Sequence, residues 1–295
     1  MNKFDLQYFA APAGTVITDD VEPAILIDMT SKLSYNINAL REILGIQTIE
    51  YLPTGGSVRV FKTDVVGDRP DQVGEGETIG LTEIERKLVK TIEIVPQKYR
   101  KDTTLEAIQK VGQSIAINTT DAKLVELAQK DIKNSFYSSI ALGTGTATGT
   151  NLQTTLAQTW AAIQNSFEDY DVSPVYFISP LDAADYLGSA SITLQTSFGM
   201  TYIEDFLGLG TAFIVPQLAQ GYIYGTAKEN LHLACAGSNS DVAKTFGLTY
   251  DASGLVGMRH AVKEENATIE TLLVSGAVFY PEFADKIIKG TISGS

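Results

Sequence analysis

The sequence predicts an α+β protein, and three observations carry that prediction. Apolar positions recur at three- and four-residue steps in some stretches and alternate in others. The two patterns are grouped along the chain, with a glycine- and β-branched-rich end. Apolar residues make up 44% of 295 residues, enough for a sizeable core. A chain of this length sits where single cores stop growing, so a two-lobed body is the default expectation.

Residues 1 to about 24 combine Pro12, Gly14, Asp19, Asp20 and Pro23 with no helical or strand period, and read as an extended arm. Ile25, Met29, Leu33, Ile37, Leu40 and Leu44 then mark one amphipathic helix, stopped by Gly45. SVRVFKTDVV and LVKTIEIV alternate around Val58, Val60 and Phe61 and around Val89, Ile92 and Ile94. They predict a long two-stranded arm with the acidic, glycine-rich VGDRPDQVGEGETIG near its tip. An isolated hairpin is marginal in water, so one this long needs a surface to lie on.

After Pro96, Thr103 and Glu106 have capping-box spacing before a short helix, LEAIQKVG. A longer helix carries Ile117, Leu124, Ala128, Ile132, Phe136 and Ile140 as one apolar stripe, with Lys123, Glu126, Lys130 and Lys133 off it and Gly143 at its end. GTGTATGT, Gly143 to Thr150, has no large side chain and reads as a linker at a domain boundary. From 151 to 236 a helix (LAQTWAAIQNSF), a buried strand (VYFIS), a second helix (LDAADYL) and another strand (AFIVP) give mixed composition. Beyond Asp241, TIETLLVSGAVFYPE reads as strand with Gly276 as a bulge or bend, packed with the long helix.

Charge narrows the function. The 22 basic and 35 acidic residues leave −13, which argues against gripping phosphate backbones, since that depends on Lys and Arg. An acidic protein can still lie beside DNA to which it must not adhere. The single cysteine, Cys235, excludes an intramolecular disulfide framework, and no Cys or His cluster has metal-ligand spacing. MNKFDLQYFA lacks the apolar run that export needs and no run approaches the roughly 20 residues of a membrane span, so the protein is expected to stay in the cell that makes it. The sequons at Asn118 and Asn266 are then chance.

Each candidate for chemistry has a plainer reading. Gly74, Gly76 and Gly80 resemble a phosphate loop, but the third glycine falls one position late and Glu75 and Glu77 would repel an anion. His232 and Cys235 lie three apart, on opposite faces of a strand, as a satisfied histidine and a core cysteine. His260 has no acid–base partner nearby in sequence and is assigned to a surface strand. Asp182 and Asp185 are explained by the dipole of the helix they open. Trp160 is assigned to the core rather than to a base-stacking platform, because no basic residues interleave with it. No catalytic, cofactor or metal residue is assigned.

The order of these elements resembles the tailed-bacteriophage major capsid protein family, the Hong Kong-phage capsid fold. MNKFDLQYFA resembles the opening of capsid proteins from phages of Gram-positive hosts. TTLEAIQKVG followed by KLVELAQKDIKNSFYSSIALGTGT resembles the family's short helix, spine helix and glycine turn. VYFISPLDAADYL and FLGLGTAFIVPQLAQGYIYG resemble its axial strand–helix unit and a later strand. The resemblance implies an N-terminal arm at 1–24, peripheral-domain segments at 25–50, 96–150 and 237–295, an extended loop at 51–95 and an axial domain at 151–236.

It further implies a non-enzymatic head protein that assembles with itself as hexamers and pentamers into an icosahedral virion shell. That shell would enclose double-stranded DNA without sequence-specific binding. Assembly would take place in the host cytoplasm, with a portal as partner and either a separate scaffolding protein or none, no membrane and no cofactor. An encapsulin-type bacterial compartment shares the fold and is the alternative; a cytoplasmic α/β enzyme using 151–236 is the rival of another class. The loop would lie across a neighbouring subunit, with Asp68, Arg69, Asp71, Glu75 and Glu77 as contact candidates. Some relatives cross-link this loop through a lysine and an asparagine, but Val65 to Leu81 contains no lysine.

Overall fold

The structure, a computed structural model, describes residues 37–42, 44–46, 48–53, 56–66, 73–167, 171–189, 194–197, 200–236, 241–250 and 255–293. The expected arm at 1–24, and Ile25, Met29 and Leu33 of the first helix, lie outside the described residues. Helical residues 37–42 (α1) bury Ile37 and Leu40. Gly45 ends the helix as expected: its N–H donates to Glu42 O and that of Ile46 to Arg41 O, the paired bonds of a Schellman stop.

Four sheets organise the described residues. β1 (Ile49–Leu52) runs parallel to β11 (Leu231–Ala236), which pairs antiparallel with β15 (Ala277–Pro281). β2 (Ser57–Val66) and β3 (Glu83–Glu93) form a two-stranded sheet by themselves. β4 (Gln97–Thr104) joins β14 (Thr268–Ser275), β13 (Val256–Lys263) and β12 (Thr249–Tyr250) in an antiparallel sheet. The fourth has seven strands in the order β5 (Gly145–Gly149), β16 (Ile288–Ile292), β10 (Tyr222–Ala227), β6 (Pro174–Ile178), β9 (Thr211–Ile214), β8 (Met200–Ile203) and β7 (Gln195–Ser197).

The short helix α2 (Leu105–Val111) starts one residue later than capping-box spacing predicts. Thr104, not Thr103, accepts the N–H of Ala107, while Thr103 is buried in β4 opposite Ile269. Strand pairing claims the first threonine, so the second caps. A π-helical turn, Ser114–Thr119, leads into the long α3 (Thr120–Ile140). On α3 the predicted stripe is real: Ala128, Ile132, Phe136 and Ile140 are buried, Ile117 is buried in the turn before it, and Lys123, Glu126 and Lys130 are exposed. Phe136 meets Phe177 and Phe279 edge-on at 5.6 and 5.8 Å between centroids, so one aromatic joins α3 to two sheets.

The expected linker is instead strand β5, parallel to β16 from Gly145↔Ile288 to Gly149↔Ile292. Small residues here serve close packing rather than flexibility. The seven-stranded sheet is covered on both faces: Val175, Phe177 and Phe213 pack toward α1 and α3, whereas Tyr176, Ile178 and Ile214 pack toward α4 (Leu152–Ser166) and α5 (Pro180–Ser189). That burial explains the uninterrupted apolar runs VYFI and AFI. Trp160 is not core; it is half-exposed on α4, because that helix buries Thr155 and Thr159 instead. A Cβ on Gly225 would stand 2.6 Å from Thr159 Cγ2, and one on Gly290 2.5 Å from Thr159 Oγ1, so glycines in β10 and β16 let the helix approach too closely for a tryptophan. Near Gly276 the chain bends as expected, passing from β14 in one sheet to β15 in another.

Candidate intersubunit arm and the clefts at its root

The β2–β3 hairpin is built on β-branched and apolar residues, but not by simple alternation. Pairing is regular from Ser57↔Glu93 to Val60↔Lys90 and again from Phe61↔Leu88 to Val66↔Glu83, with a register shift between Val60 and Phe61. Val89 is the extra residue of a β-bulge, not a member of the alternation with Ile92 and Ile94. The bulge divides the hairpin into a root and a blade.

The root is anchored. Val60 is 5% exposed and packs with Ala234 and Tyr280, and Leu52, Val58, Ile92, Ile94 and Phe283 close around them. Lys90 donates to Pro281 O at 2.5 Å. Burial holds its ammonium below the usual lysine pKa, opposed by the charge of Glu282.

The blade has two chemically different faces. Val65↔Ile84, Thr63↔Arg86 and Phe61↔Leu88 share one face, where the Arg86 guanidinium lies 4.1 Å from the centroid of the Phe61 ring. Lys62↔Lys87, Asp64↔Glu85 and Val66↔Glu83 share the other, with exposed ion pairs Lys62–Asp64 at 3.4 Å and Lys87–Glu85 at 2.8 Å. Apolar side chains lie open to solvent: Val65 is 52%, Ile84 65%, Ile79 69% and Leu81 98% exposed. A two-stranded sheet with that much apolar surface uncovered has no core of its own.

At the tip, Glu77 N–H donates to Gly74 O at 3.2 Å and Gly76 takes φ +84°, a turn that requires glycine at its third position. The carboxylate of Glu77 accepts the Gly74 N–H at 3.0 Å, filling the place a bound anion would occupy. This is a β-turn and not a phosphate cradle. Of the contact candidates, Glu75 and Glu77 are exposed at the tip, and Asp68, Arg69 and Asp71 lie outside the described residues.

Two clefts flank the root. One, of about 500 Å³, is lined by Glu50, Arg59, Phe61, Arg86, His232 and Tyr280 among others. In it His232 Nε2 is 3.3 Å from Glu282 Oε2, its ring stacks on Tyr280, and Tyr280 Oη donates to Glu50 at 3.2 Å. Burial and the neighbouring carboxylates raise the Tyr280 phenol above the ordinary tyrosine range. The other cleft, of about 600 Å³, lies between Lys62 and Asp64 on the hairpin and Phe167, Glu229 and Lys286 on the body.

The structure does not bring His232 and Cys235 together as nucleophile and base: both lie on β11, where His232 is half-buried beside Glu282 and Cys235 is fully buried. Asp182, in the first turn of α5, accepts the Gly221 N–H at 2.9 and 3.1 Å, so it ties a loop to the helix; desolvation raises its pKa. The side chain of Asp185 is outside the described residues.

His260 is not on the surface. It sits on β13 with its side chain 9% exposed, and its Nε2 lies 2.7 Å from Oδ2 of the fully buried Asp121 at the start of α3. Lys101 of β4 places Nζ 2.8 Å from Asp121 Oδ1, reaches Ile117 O at 3.1 Å and also contacts Thr120 Oγ1. Burial alone would raise the Asp121 pKa, but the His260 and Lys101 contacts outweigh it and hold the carboxyl below the usual aspartate range. No local signal announces this cluster, because its members are 20 and 139 positions apart; a buried Asp in the first turn of an apolar-striped helix is the one cue available.

No family model matches the sequence, and no curated protein matches it. Solved structures do. The chain is similar to the cyanophage A-1(L) capsid at 9% identity, covering 87% of this chain and 93% of that one with a TM-score of 0.57. It is similar to the capsid of an empty GTA particle at 10% identity, 86% and 89% coverage and TM-score 0.56. It is also similar to the holo-SrpI encapsulin complex of Synechococcus elongatus PCC 7942 at 9% identity, 83% and 85% coverage and TM-score 0.53. The chain therefore has the Hong Kong-phage capsid fold. Nothing in these likenesses points to a Gram-positive host.

Proposed function

We propose that this chain is the repeating subunit of a closed protein shell, a virion capsid assembled as hexamers and pentamers around double-stranded DNA. The carrying observation is the hairpin: its root is anchored in the body, while its blade and tip leave Val65, Ile79, Leu81 and Ile84 exposed among the described residues. A face left open on a subunit and covered by the next one is how a heterologous contact propagates, and closure into rings follows from its rotation. A contact of on the order of 800 Å² per partner is stable, and repetition around a shell adds strength without one very tight interface.

In this reading 51–95 is the extended loop, α3 the spine of a peripheral domain assembled from 25–50, 96–150 and 237–295, and 151–236 the axial domain. The net charge of −13 suits a container from which DNA must move freely, since like charge prevents adhesion. The likeness to an encapsulin complex supports a second reading, a compartment that holds protein instead of a genome. Electron microscopy of the expressed chain, with nucleic acid assayed in nuclease-treated particles, tests both. Closed particles are expected, and a chain that stays a small oligomer at all concentrations would overturn the shell reading.

A further inference from the structure

Two arginines converge on one aromatic ring at the bulge of the hairpin. Arg59, Phe61 and Thr63 alternate onto one face of β2, and Arg86 of β3 stands opposite Thr63 on that face. The Arg86 guanidinium nevertheless lies 4.1 Å from the centroid of the Phe61 ring, so the side chain folds back along the strand toward Arg59. Two residues of strand, about 7 Å, separate Arg59 from Phe61. Among the described residues neither arginine pairs with a carboxylate. Like charges brought together in this way repel, and an anion between them turns the repulsion into attraction.

Both arginines line the cleft of about 500 Å³ at the hairpin root, together with Phe61 of the hairpin and His232 and Tyr280 of the body. The two carboxylates in the same cleft are already engaged. Glu282 lies 3.3 Å from His232 and its charge acts on Lys90, and Glu50 accepts the Tyr280 hydroxyl at 3.2 Å. The unmatched charge in the cleft is therefore positive, although the chain as a whole carries −13. A volume of this size admits a small ligand and excludes a nucleic-acid duplex.

We infer that this cleft binds a small phosphate-bearing anion, a di- or triphosphate, clamped between Arg59 and Arg86 with His232 in the facing wall. Guanidinium groups meet phosphate oxygens bidentately, and the Phe61 ring holds Arg86 in place for that role before any ligand arrives. The register shift falls between Val60 and Phe61, so Arg59 stands on the root side of the bulge and Arg86 on the blade side. A bound anion spans the bulge and fixes the angle between root and blade. Binding needs one chain only, so it is independent of whether shells form.

The test is isothermal titration of the full chain with pyrophosphate at low ionic strength, where one ligand per chain is expected. Arg59→Ala and Arg86→Ala should each weaken binding by about tenfold or more, and Arg86→Lys, which keeps the charge but not the fork, by about threefold. Lys62→Ala removes an exposed cation from the opposite face of the same strand and should leave the affinity unchanged. Both arginines are exposed, so their variants should melt with the parent in the absence of ligand. Pyrophosphate should then raise the melting temperature of the parent and not that of Arg86→Ala. ADP titrated in the same way separates the sources of the anion: equal affinity means that phosphate groups alone are recognised, and tighter binding adds the nucleoside to the ligand.

A parent chain that binds no pyrophosphate at millimolar concentration overturns the site. So does a loss on Lys62→Ala equal to that on Arg86→Ala, which reduces the effect to diffuse charge. Either result leaves the shell reading standing.

Discussion

Asp121 is the residue on which most depends, because it is a fully buried carboxylate shared by a lysine and a histidine from two strands. Removing one member of a buried ion cluster leaves the others uncompensated, so Asp121→Asn should cost about 3–5 kcal/mol in urea unfolding at neutral pH. Its folded pKa lies below the ordinary 3.8, so the stabilisation is fully present above that value and is lost as pH falls through the folded pKa. The gap between parent and variant should therefore shrink as pH falls below 3.8; a gap that persists into strong acid would show that shape and not charge is at stake. At this scale the sequence was legible where burial follows type, as at Cys235 and Ile132. It was silent at His260, and misleading at Trp160, where two glycines from distant strands decide which side of α4 is inside.

Among elements, α3 and the hairpin behave oppositely under mutation. Ile132 is 3% exposed on the buried side of α3, so Ile132→Asp should prevent folding, while Lys130→Ala on the exposed side should shift the melting temperature by no more than a degree or two. Equal solubility and melting of the two variants would refute the stripe. The bulge makes a subtler prediction. Deleting Val89 leaves Leu88 opposite Phe61 and Lys90 opposite Val60, so every cross-strand pair survives and only the local bend is lost. The subunit should melt at or above the parent temperature yet assemble poorly, because the blade is aimed differently; unchanged particles by electron microscopy would show that the bulge does not set the aim. Helices and buried strands were readable from period and run length, since packing rewards those patterns directly. The capping residue, the bulge and strand β5 were not, because each is settled by a partner strand elsewhere: Ile269 for Thr103, Phe61 for Leu88, Ile288 for Gly145.

For the whole molecule, replacing Val66–Gly80 by a short Gly-Ser turn removes no buried side chain among the described residues. The chain should fold with circular dichroism and melting close to the parent, but sediment as capsomers or smaller species; shells of normal size would sink the arm, and an unfolded chain would place the stretch in the core. Assembly should also loosen as sodium chloride rises toward molar concentrations, since exposed pairs are screened within about 8 Å at physiological salt, and particles indifferent to salt would point to apolar contacts alone. By itself the sequence determined the α+β class, the order of helices and buried strands, the amphipathic spine and a hairpin too long and too acidic to be self-sufficient. Those properties follow from local periodicity and composition. The tertiary structure alone decided the Lys101–Asp121–His260 cluster and the conversion of an apparent linker into a sheet strand. Each of these is made by residues that only pairing across long sequence distances brings onto one surface, and no local pattern records which strands will meet.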